Sequence, residues 1–349
     1  MSSAFKGITT PSGIAEAVAP PAMQAPAAVA AAWVLERQGD TLLRRWSRAW
    51  GAFWLKYLFW HATHVPSVVE FTKPFFMFFV WWWGPKLRDN VIANARRMLG
   101  PGSTEAQQVQ LAKRIIGNFY SFVYEVGRSL TLTPEGLRTQ IDSIEGDDVY
   151  VAARAAGRGA ILVTAHMGSF EVGVAALRDR EEKIHVVFQR DRMPQFERLR
   201  TRLRQRLGVI EAPVDDGWTI WLRLRDALHR NEVVLMQGDR VMPGQKGRRV
   251  PFFDGHVMLP TGPIKLAMAS GAPIVPLFAV KTPGGKVRIS VEEPIYVEQS
   301  PDAADAALLK LAGLYERYVR QYPEQWFVMQ RAWCEDQESA EQGRNGQQA

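Results

Sequence analysis

From residue 159 onward, short apolar runs alternate with amphipathic stretches. GAILVTA, KIHVVFQ, EVVLMQG, APIVPLFAV and KVRISVEE have strand composition. Between them lie SFEVGVAALRDR, PQFERLRTRLRQRLG, WTIWLRLRDALHR and TGPIKLAMASG, whose apolar positions recur with helical spacing, and PDAADAALLKLAGLYERYVRQY closes the series as a further helix. Strands separated by helices of this length predict an α/β fold, with a mixed, mostly parallel sheet flanked by helices. Upstream, KLRDNVIANARRML at 86–99 is amphipathic, with Leu87, Val91, Ala95 and Met98 on one side and Arg88, Asn90, Arg96 and Arg97 largely away from it. GPGST then breaks the chain, and Thr104 starts a long helix through EAQQVQLAKRIIGNFYSFVYEVGRSL. No internal repeat is visible.

The pattern divides the chain into four parts. In residues 1–35 the stretch AEAVAPPAMQAPAAVAAAW is an Ala/Pro tract broken by three prolines, and Lys6 is the one early basic residue, so they predict a disordered leader rather than a secretory signal. Residues 36–85 are the most aromatic part. They end in PFFMFFVWWW, yet Lys56, His61, His64, Glu70 and Lys73 interrupt every window of the ~20 apolar residues that a spanning helix needs. Helices rich in Trp and Phe and flanked by Lys and Arg suit a membrane surface; a pair of aromatic core helices is the alternative. Residues 86–334 form the α/β domain, and the polar tail 335–349 is expected to be unfolded.

Charge sharpens the choice of partner. The balance of 43 Lys plus Arg against 36 Asp plus Glu, with twelve tryptophans, favours an anionic partner. One cysteine, Cys334, excludes an internal disulfide. The seven arginines at 190–206 are not interleaved with aromatics as a base-stacking platform requires, which argues against nucleic acid. Leu199, Leu203 and Leu207 make an inward stripe on that helix, and its basic outer face could dock an acidic carrier protein or lipid headgroups, or simply be solvated.

Candidate chemistry lies at ILVTAHMGSFEVG, 161–173. Positions five apart on one helix are about 140° apart beyond a full turn, so His166 and Glu171 can meet only if His166 sits on the loop after the strand and Ser169 caps a helix carrying Glu171 in its first turn. A carboxylate on one imidazole nitrogen would make the other a general base for an alcohol. The alternative is a structural histidine beside a helix-capping glutamate. The other five histidines are scattered, so a metal site is not indicated, and Gly168–Gly173 lacks the G-x-S-x-G elbow of serine hydrolases. A second cluster follows the strand EVVLMQG: Asp239-Arg240, then a Gly/Lys/Arg loop. Arg240, Lys246, Arg248 and Arg249 could hold a phosphate, and Thr261-Gly262 could present helix N–H groups to an anion, if this is more than a solvated loop.

HMGSFE, FQR at 188–190, GDR, PFF, LPTGPIKLA, SGAPIVP and the terminal YPEQWFVMQRAW occur in an order that resembles the bacterial lipid A biosynthesis (lauroyl/myristoyl) acyltransferases, a branch of the lysophospholipid acyltransferase superfamily. The similarity runs from about Gly84 to Trp333. It implies a glycerol-phosphate-acyltransferase-like fold and transfer of a fatty acyl chain from an acyl-carrier-protein or CoA thioester to a hydroxyl of a membrane glycolipid, with no cofactor and no nucleic acid. It further implies His166 as base, Glu171 as its orienting group, Arg190 at an acceptor phosphate or oxyanion, and Asp239 in a structural or orienting role. Partners would be acyl carrier protein, a lipid acceptor and the cytoplasmic face of the inner membrane. The chain departs from the pattern in its Ala/Pro leader, in the interrupted aromatic segment where a clean span is usual, and in Gln189 before the arginine. Two rivals follow: a noncatalytic basic lipid- or nucleic-acid-binding protein, and a lysophospholipid acyltransferase, whose Pro-Glu-Gly-Thr-Arg type of block is replaced here by GDRVMPGQKGRRVPFF.

Overall fold

The structure, a computed structural model, describes residues 60–61, 64–129, 132–190, 194–242 and 245–346. The leader expected over 1–35 and the first part of the aromatic segment, 36–59, lie outside the described residues. Three helices come first: α1 (Pro66–Trp83), α2 (Pro85–Leu99) and α3 (Glu105–Ser129). A short α4 (Pro134–Arg138) leads to β1 (Ile141–Glu145), α5 (Asp147–Arg154), β2 (Ala160–Thr164), α6 (Phe170–Leu177), β3 (Ile184–Phe188), α7 (Pro194–Arg206) and β4 (Ile210–Pro213). Then come α8 (Thr219–His229), β5 (Val233–Gln237), the hairpin β6 (Gly247–Phe252) and β7 (Gly255–Pro260), α9 (Gly262–Ser270), β8 (Ile274–Lys281), β9 (Val287–Val291), α10 (Pro301–Gln321) and α11 (Cys334–Gly346).

Seven strands form one sheet in the order β1-β9-β8-β2-β5-β3-β4. Neighbours pair in parallel throughout except β8 with β9, so the expected α/β fold with its mixed, mostly parallel sheet is what the chain adopts. All five residues of β2 are buried, as a strand covered on both faces must be. Its side chains alternate between two cores. Ile161 and Val163 join the cluster built from α2, α3, α8, α9 and α10, whereas Ala160 and Leu162 join the cluster under α5, α6 and α7. Leu87, Val91, Ala95 and Met98 are all buried, as their spacing predicts. Thr104 opens α3 with a capping box: its N–H donates to Gln107 Oε1 at 2.8 Å, and Gln107 N–H returns to Thr104 Oγ1 at 3.3 Å.

Three expectations are corrected. β1 and β4 were invisible in the pattern because they are short, half-exposed edge strands that lack an unbroken apolar run. The Gly/Lys/Arg loop after β5 contains the antiparallel β6–β7 hairpin, in register from Gly247 opposite Pro260 to Phe252 opposite Gly255. The tail after Cys334 is helical rather than unfolded through Gly346. Its polar sequence offers no apolar stripe, so its hold is electrostatic: Asp336 takes Arg97 at 2.9 Å, and Glu335 takes Arg249 at 2.7 Å and His256 at 2.8 Å. Fully buried Trp333 anchors its start by donating from Nε1 to Phe252 C=O at 3.0 Å.

The inner side of α1 is stitched to α3. Tyr120 Oη donates to Val69 C=O at 3.0 Å, and Lys73 Nζ donates to Ser121 Oγ at 2.8 Å. The outer side exposes Phe71, Phe75, Phe78 and Trp82, at i, i+4, i+7 and i+11, with Phe79 and Trp83 beside them. No helix among the described residues is long and apolar enough to cross a membrane.

Candidate active site

Strand register builds the site. β2 and β5 are parallel neighbours with Thr164 opposite Gln237, and Gly238 N–H donates to Thr164 C=O at 2.8 Å. Two residues beyond this last pair stand His166 on one strand and Asp239 on the other, so they come abreast at the carboxyl end of the sheet, where open α/β sheets collect their ligands. His166 Nδ1 lies 2.6 Å from Asp239 Oδ1; the imidazole is 20 % exposed and the carboxylate 1 %. Two glycines make the approach possible. A Cβ on Gly238 would fall 2.7 Å from Tyr315 Oη and 2.8 Å from Val163 Cγ1. Gly168 has φ +61°, and a Cβ there would meet Ala279 O at 1.8 Å, so only glycine lets the loop from His166 turn this tightly over β8.

The chain's C-terminal segment closes over the pair. Phe327 N–H donates to His166 C=O at 2.8 Å, Gly168 N–H donates to Gln325 C=O at 3.2 Å, and Met167 pairs with Trp326 in an isolated antiparallel bridge. Trp326 Nε1–H donates to Asp239 Oδ2 at 2.8 Å. That segment is itself tied down. Buried Asn94 donates to Val328 C=O at 2.9 Å and Gln330 C=O at 2.7 Å, and Gln325 exchanges hydrogen bonds of 2.9 and 2.8 Å with the backbone of Lys281.

Electrostatics assign the protons. Burial alone would raise the Asp239 pKa, but the imidazole, the Arg240 charge and the Trp326 indole together hold it down to about 2. Asp239 is therefore ionised and accepts a hydrogen bond from Nδ1–H. Burial, and then the positive charge of Arg240, push the His166 pKa below its ordinary value against the pull of Asp239. The result is a neutral imidazole whose Nε2 carries the basic lone pair. Arg240 lies against this pair with Nε and Nη1 buried and without a hydrogen-bond partner among the described residues, and burial depresses its pKa.

The carboxylate on His166 is thus Asp239, 73 residues away in sequence, where Glu171 was expected. Glu171 does occupy the first turn of α6, but burial pushes its pKa up to about 7, and it feels the charges of Arg200, Glu125 and Lys281. The local H-x4-E spacing suggested a short-range partner; sheet register supplied a long-range one. Ser169 holds the N-cap position of α6 without a side-chain cap bond. Arg190 is half-exposed and ion-paired to Asp216 at 2.8 Å, while its backbone N–H donates to Asp215 at 2.8 Å.

Arg248 and Arg249 are not gathered about His166 with Arg240. As successive residues of β6 they diverge, Arg248 to Asp305 on α10 and Arg249 to Glu335 and Glu338 on α11. Lys246 is exposed just before β6, and its carbonyl takes the Thr261 N–H at 3.3 Å. Gly262 opens α9 because a Cβ would meet the Trp221 ring at 2.8 Å. Thr261-Gly262 is thus a packing point between protein groups. Trp326, by contrast, carries a role at the site that sequence reasoning did not assign; its signal was its place in the terminal YPEQWFVMQRAW block.

The family model described as bacterial lipid A biosynthesis acyltransferase matches residues 38–335. A phosphatidylinositol mannoside acyltransferase of Mycolicibacterium smegmatis is 24 % identical over 255 residues, covering 72 % of this chain and 82 % of that protein. A phosphatidylinositol mannoside acyltransferase of Mycobacterium tuberculosis is 29 % identical over 217 residues, covering 61 % of this chain and 66 % of that protein.

Proposed function

This chain belongs to the bacterial lipid A biosynthesis acyltransferase family, and from that premise we propose that it moves a fatty acyl chain from a thioester to a sugar hydroxyl of a membrane glycolipid, with His166 as general base. The single observation that carries this reading is the His166–Asp239 hydrogen bond at the ends of adjacent parallel strands. His166 Nε2 takes the proton of the acceptor hydroxyl as its oxygen attacks the thioester carbonyl. The C–O bond forms, the C–S bond breaks as the tetrahedral intermediate collapses, and the departing thiolate takes the proton back from the imidazolium. Asp239 holds Nδ1–H and steadies the imidazolium, in the manner of the acid of a catalytic triad. Arg240, whose buried Nε and Nη1 have no hydrogen-bond partner among the described residues, supplies positive charge where the carbonyl oxygen or an acceptor phosphate becomes anionic.

Glu171 is a partly buried acid in the first turn of α6, after β2, and its proposed role is to bind acceptor or leaving group in its protonated form. The donor is proposed to be acyl carrier protein, for which the Arg-rich α7 offers a basic face; free acyl-CoA is the competing thioester. The exposed aromatic side of α1 is proposed to rest in the headgroup region on the cytoplasmic face of the membrane, so that a lipid acceptor reaches the site laterally. The acceptor class spans lipid A precursors and, from the names of the two relatives, mannosylated phosphatidylinositols.

The test is acyl transfer by the purified full chain from acyl-carrier-protein and acyl-CoA thioesters to both acceptor types in mixed micelles. Transfer that His166→Ala lowers roughly 10²- to 10⁴-fold is the expected outcome; no transfer, or transfer indifferent to that change, would sink the reading.

A further inference from the structure

We infer that Trp326 is a positioning residue of the reaction, the third member of a Trp326–Asp239–His166 relay that sets the basicity of the imidazole. The inference rests on the reading of His166 and Asp239 given above. Its geometry is independent of substrate. The indole Nε1–H donates to Asp239 Oδ2 at 2.8 Å, while Asp239 Oδ1 receives His166 Nδ1–H at 2.6 Å, so the two oxygens of one buried carboxylate are divided between two donors. The indole is 3 % exposed and lies among the rings of Phe252 and Trp333, which fix its plane.

The same segment grips the other member of the pair through its backbone. Phe327 N–H holds His166 C=O at 2.8 Å, and Met167 bridges to Trp326. One three-residue stretch, Gln325–Phe327, therefore locates both the loop that carries the base and the carboxylate that orients it.

A hydrogen bond into a buried carboxylate withdraws negative charge from it. With the indole in place, Asp239 is a weaker base and pulls less on the imidazole. The ring therefore stays neutral near pH 7, as a base for a hydroxyl must. The other groups facing the imidazole are Arg240 and Arg200, both of which also favour its neutral form, so the indole acts in the same sense as these cations. Trp326 differs from them in being uncharged and in bonding Asp239 directly.

Trp326→Phe keeps an aromatic ring at the site and removes the five-membered ring that carries the N–H. Two readouts test it on the full chain in detergent. Titration of the His166 ring by NMR, assigned with His166→Gln, is expected to show a higher pKa in Trp326→Phe than in the parent. Steady-state acyl transfer is expected to show kcat lowered roughly 10- to 100-fold, KM for donor and acceptor within about 2-fold, and the acid limb of the kcat/KM profile moved to higher pH.

An unmoved His166 pKa overturns the inference whether or not the protein transfers acyl chains. A moved pKa with unchanged kcat overturns the role in the reaction. If the parent transfers no acyl chain but the pKa moves, the relay stands and the reading of the reaction falls. Should Trp326→Phe not fold, the parent itself decides: the Trp326 indole N–H resonance must shift with the titration of His166, and an indole signal blind to it overturns the relay.

Discussion

Two polar regions flank β5 at opposite fates. At one, His166 and Asp239 leave adjacent parallel strands at equal offsets and meet at 2.6 Å. At the other, the Lys246–Thr261 stretch carries as much charge, yet its arginines turn to Asp305, Glu335 and Glu338 and staple the hairpin to α10 and α11. Residue type does not separate the two. What separates them is register: strand ends bring side chains together over a common edge, whereas successive residues of a hairpin strand point apart. The Asp239 carboxylate of the first region is buried and bonded to His166; the arginines of the second are exposed and already ion-paired.

The largest expected effect breaks this comparison at its first half. Asp239→Asn keeps the shape but removes the charge and invites the wrong imidazole tautomer, so acyl transfer should fall about 10²- to 10⁴-fold with the fold intact by circular dichroism. Activity within a few-fold of the parent would mean that the pair is structural. Next comes the anchor of the second region. Trp333→Ala empties a fully buried ring site and should lower unfolding stability by about 3–5 kcal/mol, read from denaturant melts, because α11 and the hairpin lose their shared core.

A pH experiment sharpens the contrast between the carboxyls of Glu171 and Asp239. Glu171 has a folded pKa of about 7 against its ordinary 4.5, so the native state holds its proton more tightly than the unfolded chain does. That preference favours the fold at low pH and is lost as pH rises from 4.5 through 7, by on the order of 2–3 kcal/mol. Glu171→Gln imitates the protonated acid and should flatten the fall in melting temperature between about pH 5 and 8. Asp239, held at about 2, has the opposite sign: its contribution is present above its ordinary 3.8 and lost as pH falls toward 2. A melting curve for Glu171→Gln that tracks the parent across this range would show that the Glu171 pKa is not raised in the fold. The smallest effect belongs to the hairpin staples. Arg248→Ala with Arg249→Ala removes exposed ion pairs, so the melting temperature should hardly move and acyl transfer should stay within about 2-fold. A loss comparable to that of Asp239→Asn would place the hairpin in the site after all.

The sequence by itself determined the central strands β2, β3, β5, β8 and β9 and the helices between them, the inward face of α2, and the place of His166 at a strand end, because those features depend on periods of 2 and 3.6 residues that are written locally. It also carried family membership, through blocks in a fixed order. Only the tertiary structure decided which carboxylate serves His166, because that depends on the pairing of Thr164 with Gln237 across two strands, a relation no local spacing encodes. For the same reason Trp326 reached the site unannounced: a residue near the end of the chain arrives there by packing, and its indole finds Asp239 only after the sheet, α2 and α10 have fixed the path of the segment that carries it.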